Sequence, residues 1–262
     1  MFEVKSGSQK VIIQILTTLL VIPYLFPLVV MMQGSFAGQG IENYRAVLRI
    51  ELLPYFFRNS IIIASAVIAI VYVCTILSAF GFAKLRIRGK EIVFWVLMAA
   101  LTLPEVVILT PLFATASSTG LYDTLWSVIL PLSALQIPFT VLLCRNYITG
   151  IPDELLESAR IDGATTLQVF RYIVAPLTRP IGAAIIVLTL ITSWNDYLLP
   201  LVFLQSDQLQ TVTLVPQFFV SQFNNDQTKV LAAAVICALP EVLAYLLMQR
   251  NFERGLTAGA LK

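Results

Sequence analysis

The sequence predicts an all-α protein that crosses a membrane six times, and three observations carry that expectation. First, 58% of the 262 residues are hydrophobic and only 12% are charged, with a mean hydropathy of +0.85. Soluble domains are nearer half apolar and a quarter charged, so this chain could not cover a water-facing surface with polar groups. Second, the apolar residues fall in runs that match the roughly 20 helical residues needed to cross ~30 Å of hydrocarbon. Third, Lys and Arg gather in alternate connections between those runs, as they do in polytopic chains.

The runs are residues 11–32, 60–83, 92–116, 125–143, 181–203 and 230–247. The first is too long and too weakly flanked for a cleaved signal peptide, and no small-residue site closes it. Prolines stand at positions 23, 27, 104, 131, 138 and 240. Neighbouring helices can satisfy the carbonyl that a proline frees in a membrane, so these are expected as kinks inside spans. With no internal repeat and no low-complexity linker, residues 1–262 read as a single membrane domain.

Composition also excludes several functions. The net charge of +2 leaves no basic footprint for nucleic acid. Cys74, Cys144 and Cys237 are odd in number and lie within or beside apolar runs, against a disulfide framework or a zinc site. The chain has no histidine, and so lacks the commonest general base and metal ligand.

Orientation follows from the cations. With the N-terminus in the cytoplasm, thirteen of the 17 Lys and Arg residues face inward, and only Arg45, Arg49, Arg58 and Lys229 face outward. Six spans return the C-terminus to the same side. The run Lys84, Arg86, Arg88 and Lys90 is read more simply as an inside-facing topology signal than as a specific lipid-binding site. The outer segment 37–57 is expected to carry a short surface helix, and 205–228 to be a polar outer loop.

The longest inward connection is loop 150–180. Pro152, Asp153 and Glu154 suit the first turn of a helix, where proline lacks no needed donor and acids meet the positive end of the dipole. A short helix is expected from there, with Leu155, Leu156 and Ala159 on one side. Gly163 ends it, since glycine adopts positive φ at a helix terminus. Leu167, Phe170, Tyr172 and Ile173 then form a second amphipathic piece that ends at Pro176 and Pro180. On these residues alone, an interfacial connector resting on lipid and a docking site for another protein are both open.

Acids inside spans are costly and usually face a cavity or a partner. Glu105 follows Pro104, Glu241 follows Pro240, and Asn195 and Asp196 sit between Trp194 and Tyr197. Trp194, Asn195, Asp196 and Tyr197 combine hydrogen-bonding groups with aromatic faces, as a sugar pathway requires. Glu105 is a further candidate for that pathway. The alternative is that these groups fix subunit packing or satisfy backbone freed by the adjacent prolines.

In the loop, Glu157-Ser158-Ala159, three residues, Gly163, nine residues, Ile173, one residue and Ala175-Pro176 resembles the EAA loop of ABC-importer permease subunits. That pattern reads E-A-A, three residues, G, nine residues, I, one residue, L-P; Ser158 and Ala175 depart from it. The run from Ala159 to Ala164, ARIDGA, is similar to the carbohydrate, maltose-transporter-type branch. So are Asn59-Ser60, Trp194-Asn195-Asp196 with Pro200-Leu201, and a tail running through Gln249-Arg250-Asn251-Phe252 and Gly255 to Lys262.

The resemblance spans about residue 44 to the last residue, and it implies a transport subunit of the inner membrane. Such a permease pairs with a second permease subunit, two nucleotide-binding ATPase subunits and an extracytoplasmic solute-binding protein. The loop would be the coupling element, with Glu157, Ser158, Ala159, Asp162, Gly163 and Ala164 meeting the ATPase subunit. Gly255, Thr257 and Gly259 would make a tail contact with the ATPase subunits. ATP and magnesium would bind the partners, and this chain would bind no cofactor and no metal; it has no G-x-x-x-x-G-K-[ST] sequence. A lipid-modifying membrane enzyme or a stand-alone channel subunit is the alternative, but neither calls for the loop or the tail.

Overall fold

In the computed structural model, the backbone is described for residues 7–220 and 226–260, and side chains for 9–220 and 226–249. Among the described residues, helices account for nearly all of the chain. They are α1 (Gly7–Phe36), α2 (Ile41–Leu48), α3 (Leu53–Lys84), α4 (Lys90–Ala99), α5 (Glu105–Ser118) and α6 (Trp126–Thr149). Then come α7 (Asp153–Ile161), α8 (Thr166–Val169), α9 (Ala175–Leu177), α10 (Arg179–Asn195), α11 (Leu198–Phe203) and α12 (Gln227–Ala260).

Four of these helices are long and apolar enough to cross a membrane: Gln9–Phe36, Leu53–Lys84, Trp126–Thr149 and Gln227–Gln249. Two bent pairs bring the number to six if each pair is one span. Lys90–Thr102 and Glu105–Ser118 meet at 104°, and Thr166–Leu177 and Arg179–Asn195 meet at 71°. The expected span 92–116 is therefore not one continuous helix, and Pro104 is a break and not a kink. Proline disfavours the helical region for the residue before it, and Leu103 is accordingly extended, at φ −82° and ψ 118°. Pro23, Pro27, Pro131, Pro138 and Pro240 do remain inside helices.

Other boundaries move as well. The second span starts at Leu53, seven residues before the expected position, because Pro54 is compatible with a helical first turn. The fourth runs on to Thr149. The fifth, expected over 181–203, is interrupted at Asp196 and Tyr197, between α10 and α11. The sixth is part of a helix whose backbone continues to Ala260.

The chain packs as two units. One comprises Met1–Leu53 and Val215–Ala238. In it, Asn43 on α2 donates to the carbonyls of Ser35 and Ala37, both at 2.9 Å, and accepts from the Thr228 hydroxyl at 3.3 Å. The Tyr44 and Phe36 rings lie 4.9 Å apart. The segment expected to carry a surface helix thus holds α2, which is pinned to the end of α1. Asp226 precedes α12; hydrogen bonds from Lys229 and Thr228 outweigh its partial burial and hold its carboxyl down at about 2. The α1 window is exposed along its whole length.

The other unit comprises Pro54–Leu214 and Leu239–Lys262, and its core is built from helical stripes. Ile63, Val67 and Val71 recur every four residues on α3, Val128 and Leu132 on α6, and Ile181 and Ile185 on α10. A buried hydroxyl pair, Thr75 on α3 and Thr140 on α6, lies at 2.6 Å. The segment expected as a polar loop is partly buried: Val212 and Leu214 are each at most 2% exposed. Gly182 on α10 lets α3 approach closely, since a Cβ there would lie 2.9 Å from the Tyr72 ring.

Gly182→Ala is expected to cost about 1–3 kcal/mol through overpacking, read as a lower unfolding midpoint in detergent. Combined with Tyr72→Ala, it should cost less than the two single changes taken separately, because the clash is gone.

Candidate functional site

The connection from α6 to α10 is the most elaborate polar structure in the described chain. Pro152 stands before α7, and Asp153 and Glu154 occupy its first turn, as the sequence leads one to expect. Lys84, at the end of α3, ties this turn down. Its ammonium donates to Asp153 Oδ1 at 2.7 Å and to the Ile151 carbonyl at 2.6 Å. That hydrogen bond and the charge of Lys84 hold the Asp153 carboxyl below its ordinary range, with Arg160 and Arg86 adding to the effect.

The end of α7 explains the spacing of the loop's small residues. Gly163 has φ +85°. Its N–H donates to the Arg160 carbonyl at 3.0 Å, and the Ala164 N–H reaches back to the Ala159 carbonyl at 2.9 Å. These two bonds make a Schellman cap, with glycine at the left-handed position. The cap requires that Gly163 come four residues after Ala159 and one before Ala164. Ala159 and Ala164 both pack against the buried core, the apolar contact that accompanies such a cap. Thr165 then opens α8 with a reciprocal cap: its hydroxyl accepts from the Gln168 N–H, and the Gln168 side chain accepts from the Thr165 N–H at 2.7 Å.

Two helical pieces therefore leave the turn in defined directions. Leu156, Val169 and Val174 are buried, and Phe170 meets the Phe80 ring of α3 at 5.2 Å. What the turn presents outward is apolar as well. Ile161 is 86% exposed, Leu167 72% and Tyr172 69%. Leu155, expected beside Leu156 on the packed side, is instead exposed, because one residue of helix turns it about 100° away. Ser158, Asp162 and Gly163 are exposed, and Ser158 bonds its own helix at the Leu155 carbonyl. Exposed Glu157 lines a polar cleft of about 210 Å3 with Lys84, Arg86, Lys90, Asp153 and Arg160.

The second group lies at the break between α10 and α11. Trp194 is buried, its ring 6.4 Å from Phe57. Asn195 donates to Glu241 Oε1 at 2.8 Å and to the Ile191 carbonyl at 3.0 Å. The Asp196 carboxylate accepts from backbone N–H groups at the start of α11, and its carbonyl accepts from the Thr213 hydroxyl at 2.9 Å. One oxygen of Asp196 and one of Glu105 are buried without a partner, and the two carboxyls are near enough to interact. Tyr197 is exposed. The structure thus brings Glu105 to Asp196, and Asn195 to Glu241. The backbone of Gly255, Thr257 and Gly259 belongs to α12, and their side chains lie outside the described residues.

One polar clasp escaped sequence reasoning. Asp123, at φ +56° between α5 and α6, accepts from the N–H groups of Gln205 and Ser206 at 2.8 and 2.9 Å, and also from the Ser206 hydroxyl. Asn59 donates to the carbonyls of Gln208 and Gln210 at 2.8 and 2.9 Å, and Ser60 accepts from the Val212 N–H at 3.1 Å. The clasp joins positions far apart in sequence; its traces there are the Asn59-Ser60 pair, noted only as a resemblance, and an isolated Asp before α6.

A family model described as "Binding-protein-dependent transport system inner membrane component" matches residues 72–258. The Probable ABC transporter permease protein YurM of Bacillus subtilis (strain 168) is 33% identical over 225 residues, 86% of this chain and 71% of its own. From the same organism, the Arabinooligosaccharides transport system permease protein AraQ is 30% identical over 258 residues, 91% of each chain. The Trehalose transport system permease protein SugB of Mycobacterium tuberculosis (strain CDC 1551 / Oshkosh) is 30% identical, over 84% and 81%. Among solved structures, a chain of a bacterial ABC transporter involved in the import of the acidic polysaccharide alginate superposes with TM-score 0.78 at 21% identity, over 96% and 99% of the two chains. At that identity the likeness concerns the fold.

Burial alone would raise the Asp123 carboxyl, but the hydrogen bonds from Ser206 and Gln205 outweigh it and hold the group below its ordinary range. A carboxyl so depressed contributes fully above its unfolded value of about 3.9 and loses that contribution as pH falls through the lower, folded value. Protection of the Gln205 and Ser206 amides, taken relative to the intrinsic exchange rate at each pH, is therefore expected to stay high at neutral pH and to fall only below about pH 4. In Asp123→Ala it should be low throughout.

Proposed function

Because the chain belongs to the binding-protein-dependent transport system inner membrane components, we propose that it is one transmembrane half of an ATP-driven importer for a sugar or sugar-like solute. The family consists of transport components, so the chain is a permease and not an enzyme. The observation that carries the coupling role is the capped turn at Gly163, whose two helices hold Ile161, Leu167 and Tyr172 exposed around a rigid corner. Apolar side chains held on a polar corner suit a cleft in a water-soluble subunit better than they suit water.

In this reading, residues 1–262 act as a single transmembrane domain beside a second permease subunit, with both termini in the cytoplasm. Two ATPase subunits bind ATP and magnesium and receive the corner formed by Glu157, Ser158, Ala159, Asp162, Gly163 and Ala164. Glu157 offers its charge to a basic group there. Gly255, Thr257 and Gly259 in the tail make a further contact with those subunits. An extracytoplasmic solute-binding protein delivers the solute. Closure of the ATPase pair displaces the corner, and the buried anchors Leu156, Val169 and Val174, with half-buried Phe170, transmit the motion to α3 and α10 as a rigid-body shift.

The names of the relatives support the sugar class: arabinooligosaccharides for one and trehalose for another. Along the pathway, Trp194 and Tyr197 supply aromatic faces, and Asn195, Asp196 and Glu105 supply groups for hydroxyls. The carboxyl oxygens of Asp196 and Glu105 that lack a partner supply acceptors that the fold itself does not use.

Two outcomes test the reading. Gly163→Pro cannot adopt positive φ, and it should lower solute uptake about 5–150-fold, the usual range of a coupling free energy, while ATPase activity of the assembled complex persists. Full uptake in that variant would refute the coupling role. Asp196→Asn should change uptake or solute range with the complex still assembling; loss of assembly alone would instead assign Asp196 to packing.

A further inference from the structure

We propose that the end of α3 and the start of α4 form a binding site for one anionic phospholipid, with an acyl chain in an apolar groove and the phosphate on Arg88 and Lys90. The groove has a volume of about 280 Å3 and is lined by Gly81, Phe82, Ile87 and Val93, with Arg88 and Lys90 also on its wall. Gly81 is its floor. A Cβ built there meets nothing within 4 Å, so this helix interior carries a residue of poor helix propensity where an alanine would fit without a clash. The walls are open to the outside: Ile87 is 53% and Val93 60% exposed.

The charge at this end of α3 is one-sided. Lys84, Arg86, Arg88 and Lys90 fall within seven residues. Two of the nearby acids, Glu91 and Asp153, are already engaged, while Glu157 lines the polar cleft that Lys90 also borders. Both oxygens of Glu91 accept from Arg145 at 2.8 Å, and the Arg145 guanidinium also lies 3.9 Å from the Phe94 ring centre. Asp153 pairs with Lys84. Among the described residues, Arg88 makes no ion pair. The Lys90 ammonium donates one proton to the Leu85 carbonyl at 2.8 Å and has two more to offer.

A groove of hydrocarbon character with cations on its wall, at the end of a membrane span, complements an amphiphile with an anionic head. Basic residues beside a span attract such headgroups. A zwitterionic lipid brings its own cation to the same place and gains less. The proposal depends on α3 being a membrane span and not on the transport reading, so either can fail alone.

The test uses the chain purified with whatever subunits accompany it, from bilayers of phosphatidylcholine with or without phosphatidylglycerol, and native mass spectrometry of retained lipid. The wild type is expected to retain one phosphatidylglycerol in preference to phosphatidylcholine. Arg88→Gln should weaken retention about fivefold, the effect of one basic residue near an anionic surface. Gly81→Leu, which fills the groove and leaves every cation in place, should abolish it. Val93→Trp closes the groove from the α4 side and gives the same readout should Gly81→Leu fail to fold. Equal retention of both lipids overturns the proposal. So does retention that survives groove filling, which would mark a diffuse attraction, or a cross-link from Val93→Cys to a second permease subunit, which would mark the groove as a protein interface.

Discussion

A peptide N–H or C=O left without a partner in hydrocarbon costs several kcal/mol, and that constraint governs where this chain is allowed to stop being helical. Several interruptions in the described fold come with groups that take up the freed backbone. At Gly163 the helix closes on its own carbonyls. At the break after α10, the Asp196 side chain takes the first N–H groups of α11. Beyond α11, Asp123 takes two further N–H groups, and Asn59 and Ser60 serve the next stretch. The polar residues of an otherwise apolar chain are thus concentrated where helices end.

The same constraint gives those residues a double value. A capping side chain already holds a fixed orientation, so any lone pair it does not use on the backbone is presented in a defined place. Asp196 has one such oxygen, and Glu105, beside the Pro104 break, has another. The corner at Gly163 works in an analogous way with apolar groups. Its Schellman cap, the reciprocal cap at Thr165 and its buried anchors leave Ile161, Leu167 and Tyr172 little freedom, so a proposed partner has little ordering left to impose. Under the proposed function, capping and transport draw on the same residues, and the two roles separate only when folding and transport are measured independently.

The corner was largely legible in advance. Its helix start, its glycine stop and its small residues are local signals that depend on three to six neighbouring positions. The side each residue faces was less so: Leu155 and Leu156 are adjacent and both apolar, yet only Leu156 is buried, as a member of the core cluster. The Asn195–Glu241 pair and the Asp123 clasp join residues 46 and 82–83 positions apart, and no local pattern carries such distances. Pro104 shows the limit for span boundaries. Five other span prolines sit inside helices, and Pro104 alone among those expected as kinks stands at a 104° bend.

The amino-acid sequence by itself determined that the chain is helical and made for a bilayer, since composition and run length decide which solvent a segment prefers. It also determined the corner, since a Schellman cap is a relation among near neighbours. Only the tertiary structure decided which spans are whole and which are broken. It alone brought Glu105 to Asp196, and opened a groove over Gly81 beside Arg88 and Lys90. Those outcomes depend on how helices distant in sequence pack against one another, and packing is set by the whole set of side chains at once.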